Sequence, residues 1–323
     1  MRWGILGPGK ISRSFLTGLA GSRTERAVAV GSRDLARARA VADDFGVGRA
    51  HGSYERLLAD DAVEAVYIGT PNSTHGEWAV AAAKAGKHVL CEKPLGRDVA
   101  EAEAMFAAAR EHGVWLMEAF MYRFHPRTLR LQELVAAGDL GEPVLVRASF
   151  GFPIGAGSNV RLSADLAGGA LMDVGCYPVN AARMLAGPVR GVTAVARWED
   201  VDVTLAGTLD HESGAIGVLS CGLRSGRHNE LQVVGSAGVV DVPDAFTPPR
   251  DRPSVLRVTG GRDTHELAFE PVDQYTAEAE GFAALVAAGH DGAAGLPRMP
   301  LAESLDNAAT IEALLAAAGR SAG

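Results

Sequence analysis

Arg2-Trp3-Gly4-Ile5-Leu6-Gly7-Pro8-Gly9-Lys10-Ile11-Ser12 stands at the start of the chain, and its reading decides the fold. Arg2 to Leu6 reads as a buried strand, Gly7 to Gly9 as a tight turn, and Ile11 to Ala20 as the helix that follows. The same alternation continues to about residue 120. Strands are expected at Ala27 to Gly31, Ala65 to Gly69, His88 to Cys91 and Val114 to Glu118. Helices are expected at Leu35 to Phe45, Glu77 to Ala85 and Val99 to Glu111. Continuously apolar strands separated by helices predict a parallel sheet wound in both directions.

Past Arg123 the character changes. Phe124 to Ala137 is predicted as one helix. Strand-like runs then follow at Val144 to Phe150, Val192 to Trp198, Val201 to Leu209, Ala215 to Leu223, Glu230 to Val234, Val239 to Val242, Val255 to Val258 and His265 to Phe269. Helices at Tyr275 to Ala288 and Leu301 to Ala318 close the chain. Several runs are joined by turn residues alone, which predicts antiparallel pairing in an open sheet. The fold class is therefore α/β: an N-terminal Rossmann domain over residues 1–121, and a C-terminal α+β domain over 122–323 on a mainly antiparallel sheet.

Composition narrows the function. With 31 Lys and Arg against 39 Asp and Glu, the net charge of −8 argues against a nucleic-acid partner, which needs a basic face. The three cysteines lack metal spacing, so no metal site and a reducing, cytoplasmic setting are expected. No apolar run reaches the roughly 20 residues of a membrane helix, and Met1 to Gly7 is too short and too broken by glycine for a secretory signal.

Gly7-Pro8-Gly9-Lys10-Ile11-Ser12 matches GxGxxG at two of three glycines. The first permits the turn, and the second lets backbone approach a pyrophosphate at a helix N-terminus; the third serves packing, where serine substitutes. Gly7, Gly9, Lys10 and Ile11 are thus candidate contacts to a dinucleotide. The end of the second strand selects which one. Gly31-Ser32-Arg33-Asp34 offers a hydroxyl and a guanidinium, with Arg37 a turn later, and that set suits the 2′-phosphate of NADP(H). The competing reading makes Arg33 and Arg37 solvated helix-start residues and Asp34 the N-cap; Asp34 on a ribose hydroxyl would allow NAD.

Further segments fall where a parallel sheet binds ligands: Gly69 to His75, Cys91 to Leu95, Glu118 to Pro126, and, in the second half, Gly168 to Pro178. The ordered set GxGxxS, TPNxxH, EKP and GGALMDVGCY resembles the glucose–fructose oxidoreductase/inositol dehydrogenase (Gfo/Idh/MocA) family over nearly the whole chain. EAFMYRFHP and Tyr177 resemble its branch of dimeric dihydrodiol dehydrogenases and NADP-dependent D-xylose dehydrogenases.

The resemblance implies roles. Lys93 stands between nicotinamide and substrate hydroxyl, before a cis Lys93–Pro94 bond, and Tyr177 is the general acid/base. A cation near a phenol lowers its pKa and steadies an alkoxide. Asp173, four residues earlier, shares a face with Tyr177 if the stretch is helical, and touches substrate or orients the phenol. Thr70, Pro71, Asn72, His75, Glu92 and Lys93 line the cofactor; Tyr122, Arg123, Phe124, His125 and Phe152 shape the substrate pocket, with Arg161 a weaker candidate. Blander readings stand beside these: a turn lysine at 93, a core aromatic at 177, an N-cap at 173, a helix-start histidine at 75, and packing residues at 122–125. Asn180 replaces the aspartate of the histidine-type branch.

The expected chemistry is hydride transfer between NADP(H) and a secondary alcohol or hemiacetal carbon of a sugar, polyol or cyclic diol. Two rivals are internal redox on a retained cofactor, ending in epimerisation or glycoside cleavage, and a nucleotide-sensing regulator. The family also implies a homodimer or dimer of dimers through the C-terminal sheet.

Overall fold

The computed structural model describes residues 1–155, 157 and 159–319; positions 156 and 158, and the last four residues of the expected C-terminal domain, lie outside this set. The chain divides into two compact units. One comprises Met1–His125 with Asp273–Ser304, the other Pro126–Val272 with the chain from Leu305.

In the first unit six strands form one sheet in the order β3-β2-β1-β4-β5-β6: β1 (Arg2–Leu6), β2 (Arg26–Gly31), β3 (Arg49–His51), β4 (Ala65–Ile68), β5 (His88–Glu92) and β6 (Leu116–Ala119). Every pairing is parallel. Helices α1 (Lys10–Gly21), α2 (Leu35–Phe45), α3 (Tyr54–Leu58), α4 (His75–Lys84) and α5 (Val99–Glu111) connect the strands. Trp3, Ile5, Leu6 and all of β4 are fully buried, as strands covered on both faces require. The strand order reverses between β1 and β4, so the turns after them, Gly7–Gly9 and Gly69–Pro71, meet at the switch point where doubly wound sheets take ligands. β3 and α3 are additions to the expected elements; at three and five residues they are too short to show a period.

The division at residue 121 misses how this unit is completed. Helix α8 (Gln274–Gly292) packs on α1, with Thr276 Oγ1 donating to Gly18 O at 2.7 Å. Phe282 joins Trp3 and Phe15 in one aromatic cluster, its ring 5.6 Å from that of Trp3. Burial of this apolar helix face against α1 is a contact between sequence-distant segments, invisible to a reading in chain order.

The second unit is an eight-stranded sheet, order β14-β13-β12-β11-β7-β10-β9-β8. Its strands are β7 (Pro143–Gly151), β8 (Val189–Trp198), β9 (Asp202–His211), β10 (Ile216–Gly222), β11 (His228–Gly235), β12 (Gly238–Pro243), β13 (Ser254–Gly260) and β14 (Asp263–Phe269). All pairings are antiparallel except β7 with β10. Two helices precede and follow β7. The predicted helix over 124–137 is α6 (Pro126–Ala136), because the residue before a proline is driven out of the helical region and His125 is extended, with ψ 133°. Helix α7 (Cys176–Ala186) packs on β7 and β10 and covers one face of the sheet. On the other face Val195, Ile216 and Val218 stand 69%, 50% and 41% exposed. Helix α9 (Leu301–Ala317) ends the described chain.

Candidate active site

At the start of α1 the Gly9 cap position is extended, with no side-chain cap and no acidic residue in the first turn. The helix therefore offers its first amide donors and positive dipole end to an anion. Gly7 holds φ +91° while a Cβ there would lie 3.0 Å from Gly69 O; both restrictions demand glycine. Ser12 is fully buried and faces Gly69, where a Cβ would strike its Oγ. Serine at the third place of the fingerprint is accommodated by glycine on the neighbouring turn.

After β2, Ser32 is buried and its Oγ accepts the Asp34 amide at 3.2 Å. Asp34 caps α2, its Oδ1 accepting Ala36 N at 2.8 Å and Arg37 N at 3.4 Å. The carboxylate is thus turned into its own helix. Arg33 and Arg37 are exposed, and both draw down the pKa of the Tyr54 phenol, against burial that raises it. A hydroxyl and two guanidiniums at this strand end, with the nearby carboxylate capped, fit a 2′-phosphate.

The turn after β5 carries Lys93, and three buried side chains fasten it. The Tyr67 hydroxyl donates to Glu92 Oε1, and the Lys93 amide donates to Glu92 Oε2 at 3.3 Å. His75, fully buried at the head of α4, places Nδ1 2.9 Å from Pro94 O and Nε2 3.1 Å from Thr70 O. Burial lowers the pKa of His75, so the ring is neutral and donates its single N–H to one of the two carbonyls. Glu118 Oε1 accepts Leu95 N at 3.0 Å. The Lys93–Pro94 bond is cis. Thr74 Oγ1 lies 2.9 Å from both Pro71 O and Thr70 Oγ1, donating to the carbonyl and bonding the second hydroxyl, which ties the Thr70-Pro71-Asn72 loop to the start of α4.

Burial raises the Glu118 carboxyl to about 7, opposed by Ser304, by Leu95 N–H and by the charges of Arg123 and Lys93. Glu118 and Tyr67 are supporting residues that the motif reading passed over. The signal for Glu118 was its place at the end of the last strand of the parallel sheet.

The 121–124 segment forms a short helical turn after β6, and Tyr122, Arg123, Phe124 and His125 are all buried. Arg123, expected at the substrate pocket, also makes structural bonds within its own unit: its Nη1 pairs with Glu303 at 2.8 Å and its Nε donates to Arg298 O at 3.2 Å.

In the second unit Leu171–Gly175 forms a widened π turn that runs directly into α7. Asp202 anchors its start, Oδ2 accepting Leu171 N at 2.7 Å; Gly169, at φ +123°, leaves room where any Cβ would strike the Asp202 carboxylate. A Cβ on Gly168 would strike Arg161 O at 2.5 Å, so each of the paired glycines of GGALMDVGCY has its own local reason. Tyr177 follows in the first turn of α7, 4% exposed, its ring 5.4 Å from Phe150 and 5.5 Å from Phe246. Asp173 Oδ2 accepts Arg161 Nε at 2.6 Å, and the Arg161 guanidinium lies 6.0 Å over the half-buried Phe152 ring. Arg161, the weaker candidate, is thereby joined to Asp173 and Phe152. Among the described residues no group of three or more His, Cys, Asp or Glu is placed to hold a metal ion, and no helix is long and apolar enough to cross a membrane.

Comparison with known proteins accounts for both units. Residues 1–120 match the model of an oxidoreductase family with an NAD-binding Rossmann fold, and residues 128–241 match the GFO/IDH/MocA C-terminal domain. A D-xylose 1-dehydrogenase (NADP(+)) of Haloferax volcanii is 42% identical over 97% of this chain and 96% of its own length. A mouse trans-1,2-dihydrobenzene-1,2-diol dehydrogenase is 37% identical over 77% of this chain and 76% of its own. The crystal structure of a 3-ketoreductase from Actinomadura kijaniata, in complex with NADP and TDP-benzene, is 34% identical with a TM-score of 0.90, covering 98% of this chain and 97% of that one. The chain belongs to the GFO/IDH/MocA family of oxidoreductases.

Proposed function

We propose that this oxidoreductase passes a hydride between NADP(H) and a secondary alcohol or hemiacetal carbon of a sugar, polyol or cyclic diol. The observation that carries the reading is the Lys93 turn, fastened by His75, Glu92 with Tyr67, and Glu118 at the carboxyl edge of the parallel sheet. A turn held by three buried polar side chains keeps its lysine in one place, which electrostatic catalysis requires.

Gly7, Gly9, Lys10 and Ile11 hold the pyrophosphate, and Ser32, Arg33 and Arg37 the 2′-phosphate. Thr70, Pro71, Asn72, His75 and Glu92 line the nicotinamide half. Bound there, the nicotinamide supplies the hydride acceptor in oxidation and the donor in reduction. Tyr177 takes the proton of the substrate hydroxyl during oxidation, and the Lys93 ammonium lowers the energy of the alkoxide as it develops. Asp173, with Arg161, Phe152, Tyr122, Phe124 and His125, shapes the substrate's surroundings. The NADP dependence named for the Haloferax relative and the diol named for the mouse relative support this cofactor and this substrate class. A second copy of the chain covers the open sheet face around Val195 and Val218. The cytoplasm suits three free, buried cysteines.

The test follows NADPH formation at 340 nm with aldoses, polyols and cyclic diols for wild type, Lys93→Met and Tyr177→Phe. Each variant is expected to lose on the order of 100-fold or more in turnover. Near-wild-type turnover in either ends its catalytic role. Product formed without stoichiometric NADPH would favour internal redox on a retained cofactor.

A further inference from the structure

The second unit contains a buried cation that the proposed chemistry does not use. Arg127, in the first turn of α6, is 1% exposed. Its Nη1 donates to Pro243 O at 2.7 Å, and its Nη2 donates to Asp244 O at 2.9 Å and Ala245 O at 3.0 Å. Three consecutive carbonyls converge on one guanidinium. The planar guanidinium serves them from two nitrogens held in a fixed geometry, which the point charge of a lysine on its flexible stem does not reproduce. Burial pulls Arg127 down to about 10, against the pull of Asp244, so it remains charged at neutral pH.

The clamped turn is not a relaxed one. Asp244 sits at φ +48°, a left-handed conformation that costs a non-glycine residue free energy. Two residues on, Phe246 is fully buried, and its amide donates to Asn229 Oδ1 at 2.9 Å. Asn229 Nδ2 in turn donates to Thr247 Oγ1 at 2.6 Å. Arg127 on one side and Asn229 on the other thus fix the backbone that presents the Phe246 ring. That ring stands 5.5 Å from Tyr177 and 5.5 Å from Phe150, while Phe150 stands 5.4 Å from Tyr177. The three rings form a closed triangle. Phe150 is set by its place in the central strand β7, whereas Phe246 lies beyond the end of β12 and depends on the clamp.

We infer that Arg127 is a positioning residue for Tyr177, acting through the 243–245 turn and the Phe246 ring. Its effect on turnover rests on the reading of Tyr177 as the acid/base; its effect on the Tyr177 ring does not. Loosening the turn lets Phe246 move, and the phenol loses an aromatic wall that helps set its direction. A misdirected proton acceptor lowers kcat while the cofactor, held by the other unit, binds as before.

The test reads the ring directly. The chain has five tyrosines, so labelling their Cζ carbons with carbon-13 gives one resonance each, and Tyr177→Phe assigns the one of interest. In folded Arg127→Lys the Tyr177 resonance is expected to shift or broaden while that of Tyr67, in the other unit, stays in place. With NADP and D-xylose as probe substrates, kcat is expected to fall about tenfold, with KM for NADP within about twofold of wild type. An unmoved Tyr177 resonance in folded Arg127→Lys overturns the inference. Phe246→Leu decides the same point if Arg127→Lys does not fold: movement of the Tyr177 resonance there supports the relay, and its absence overturns it. Near-wild-type turnover in Tyr177→Phe would remove the acid/base reading alone, and an unmoved resonance would remove the positioning inference alone.

Discussion

Glu118 accepts the amide of Leu95 at 3.0 Å, so a carboxyl buried at the end of β6 ties down the turn that presents Lys93 from the end of β5. The two strands are neighbours in register, Cys91 beside Glu118 and Glu92 beside Ala119. The bond therefore prolongs the sheet's order past its edge. It also puts a group titrating near neutrality beside the lysine, since Lys93 is among the charges that hold the Glu118 carboxyl down against burial.

That placement makes a pH prediction. The Glu118 pKa is raised from 4.5 to about 7 in the folded chain, so the folded state binds the proton more tightly than the unfolded state. The associated stability is fully present below about pH 4.5, declines as pH rises, and is lost through about pH 7. Its size is roughly 3 kcal/mol for a shift of this order. Glu278, also fully buried and raised mainly by burial, adds with the same sign. Glu118→Gln keeps an acceptor for Leu95 N and removes the titration. Denaturant midpoints at pH 5 and pH 8 are expected to differ less in the variant than in wild type. An equal difference would show that Glu118 does not titrate in this range.

The parallel sheet and its cofactor edge were legible because local signals coincide there. Leu35–Phe45 and Val99–Glu111 fall where their patterns place them, bounded by the Asp34 and Asp98 caps. The Gly7 turn carries its own constraint in φ. What stayed hidden is non-local. Nothing near Gly18 announces that Tyr275 packs on it, and nothing near Arg127 announces the carbonyls of 243–245. The pairing of Arg123 with Glu303 stayed hidden for the same reason, since the two lie far apart in the chain. The turn into α7 was read only conditionally as helical, because Gly168-Gly169 and Gly175 break the period that a helix would show.

The proposed 2′-phosphate site makes Arg33 the residue that sets cofactor choice. Asp34 is committed to capping α2, so the strand end presents guanidinium rather than carboxylate. Charge-assisted contacts to a phosphate contribute about 1.5–3 kcal/mol. Arg33→Ala is therefore expected to lower kcat/KM for NADP by about 10- to 100-fold, leaving that for NAD within a few-fold. An unchanged ratio of the two would remove Arg33 from the 2′-phosphate site.

All three cysteines are buried, and burial pushes the Cys91 and Cys221 thiols well above their usual range. Only the thiolate reacts readily. Native protein is expected to resist a thiol-titrating reagent such as a disulfide dye, and to release three equivalents once unfolded, matching the three cysteines. Fast labelling of Cys91 in native protein would mean that the Lys93 turn opens.

Gly18 tests the union of α8 with the nucleotide-binding unit. A Cβ there would lie 2.7 Å from Tyr275 Cβ and 2.8 Å from Thr276 N, both at the start of α8 and neither the end of a flexible side chain. The two helices must separate to admit a methyl group, and overpacking of this kind costs about 1–3 kcal/mol. Gly21, a turn later in α1, meets only Thr276 Oγ1 at 3.3 Å, a side chain that can yield. Gly18→Ala is expected to lower the unfolding midpoint clearly, and Gly21→Ala to leave it nearly unchanged. Because α1 also carries the Gly7–Gly9 turn at its start, Gly18→Ala should weaken NADP binding as well, measured by fluorescence titration. Equal stability of the two variants would mean that α8 does not lean on α1 as tightly as Thr276 and Tyr275 place it.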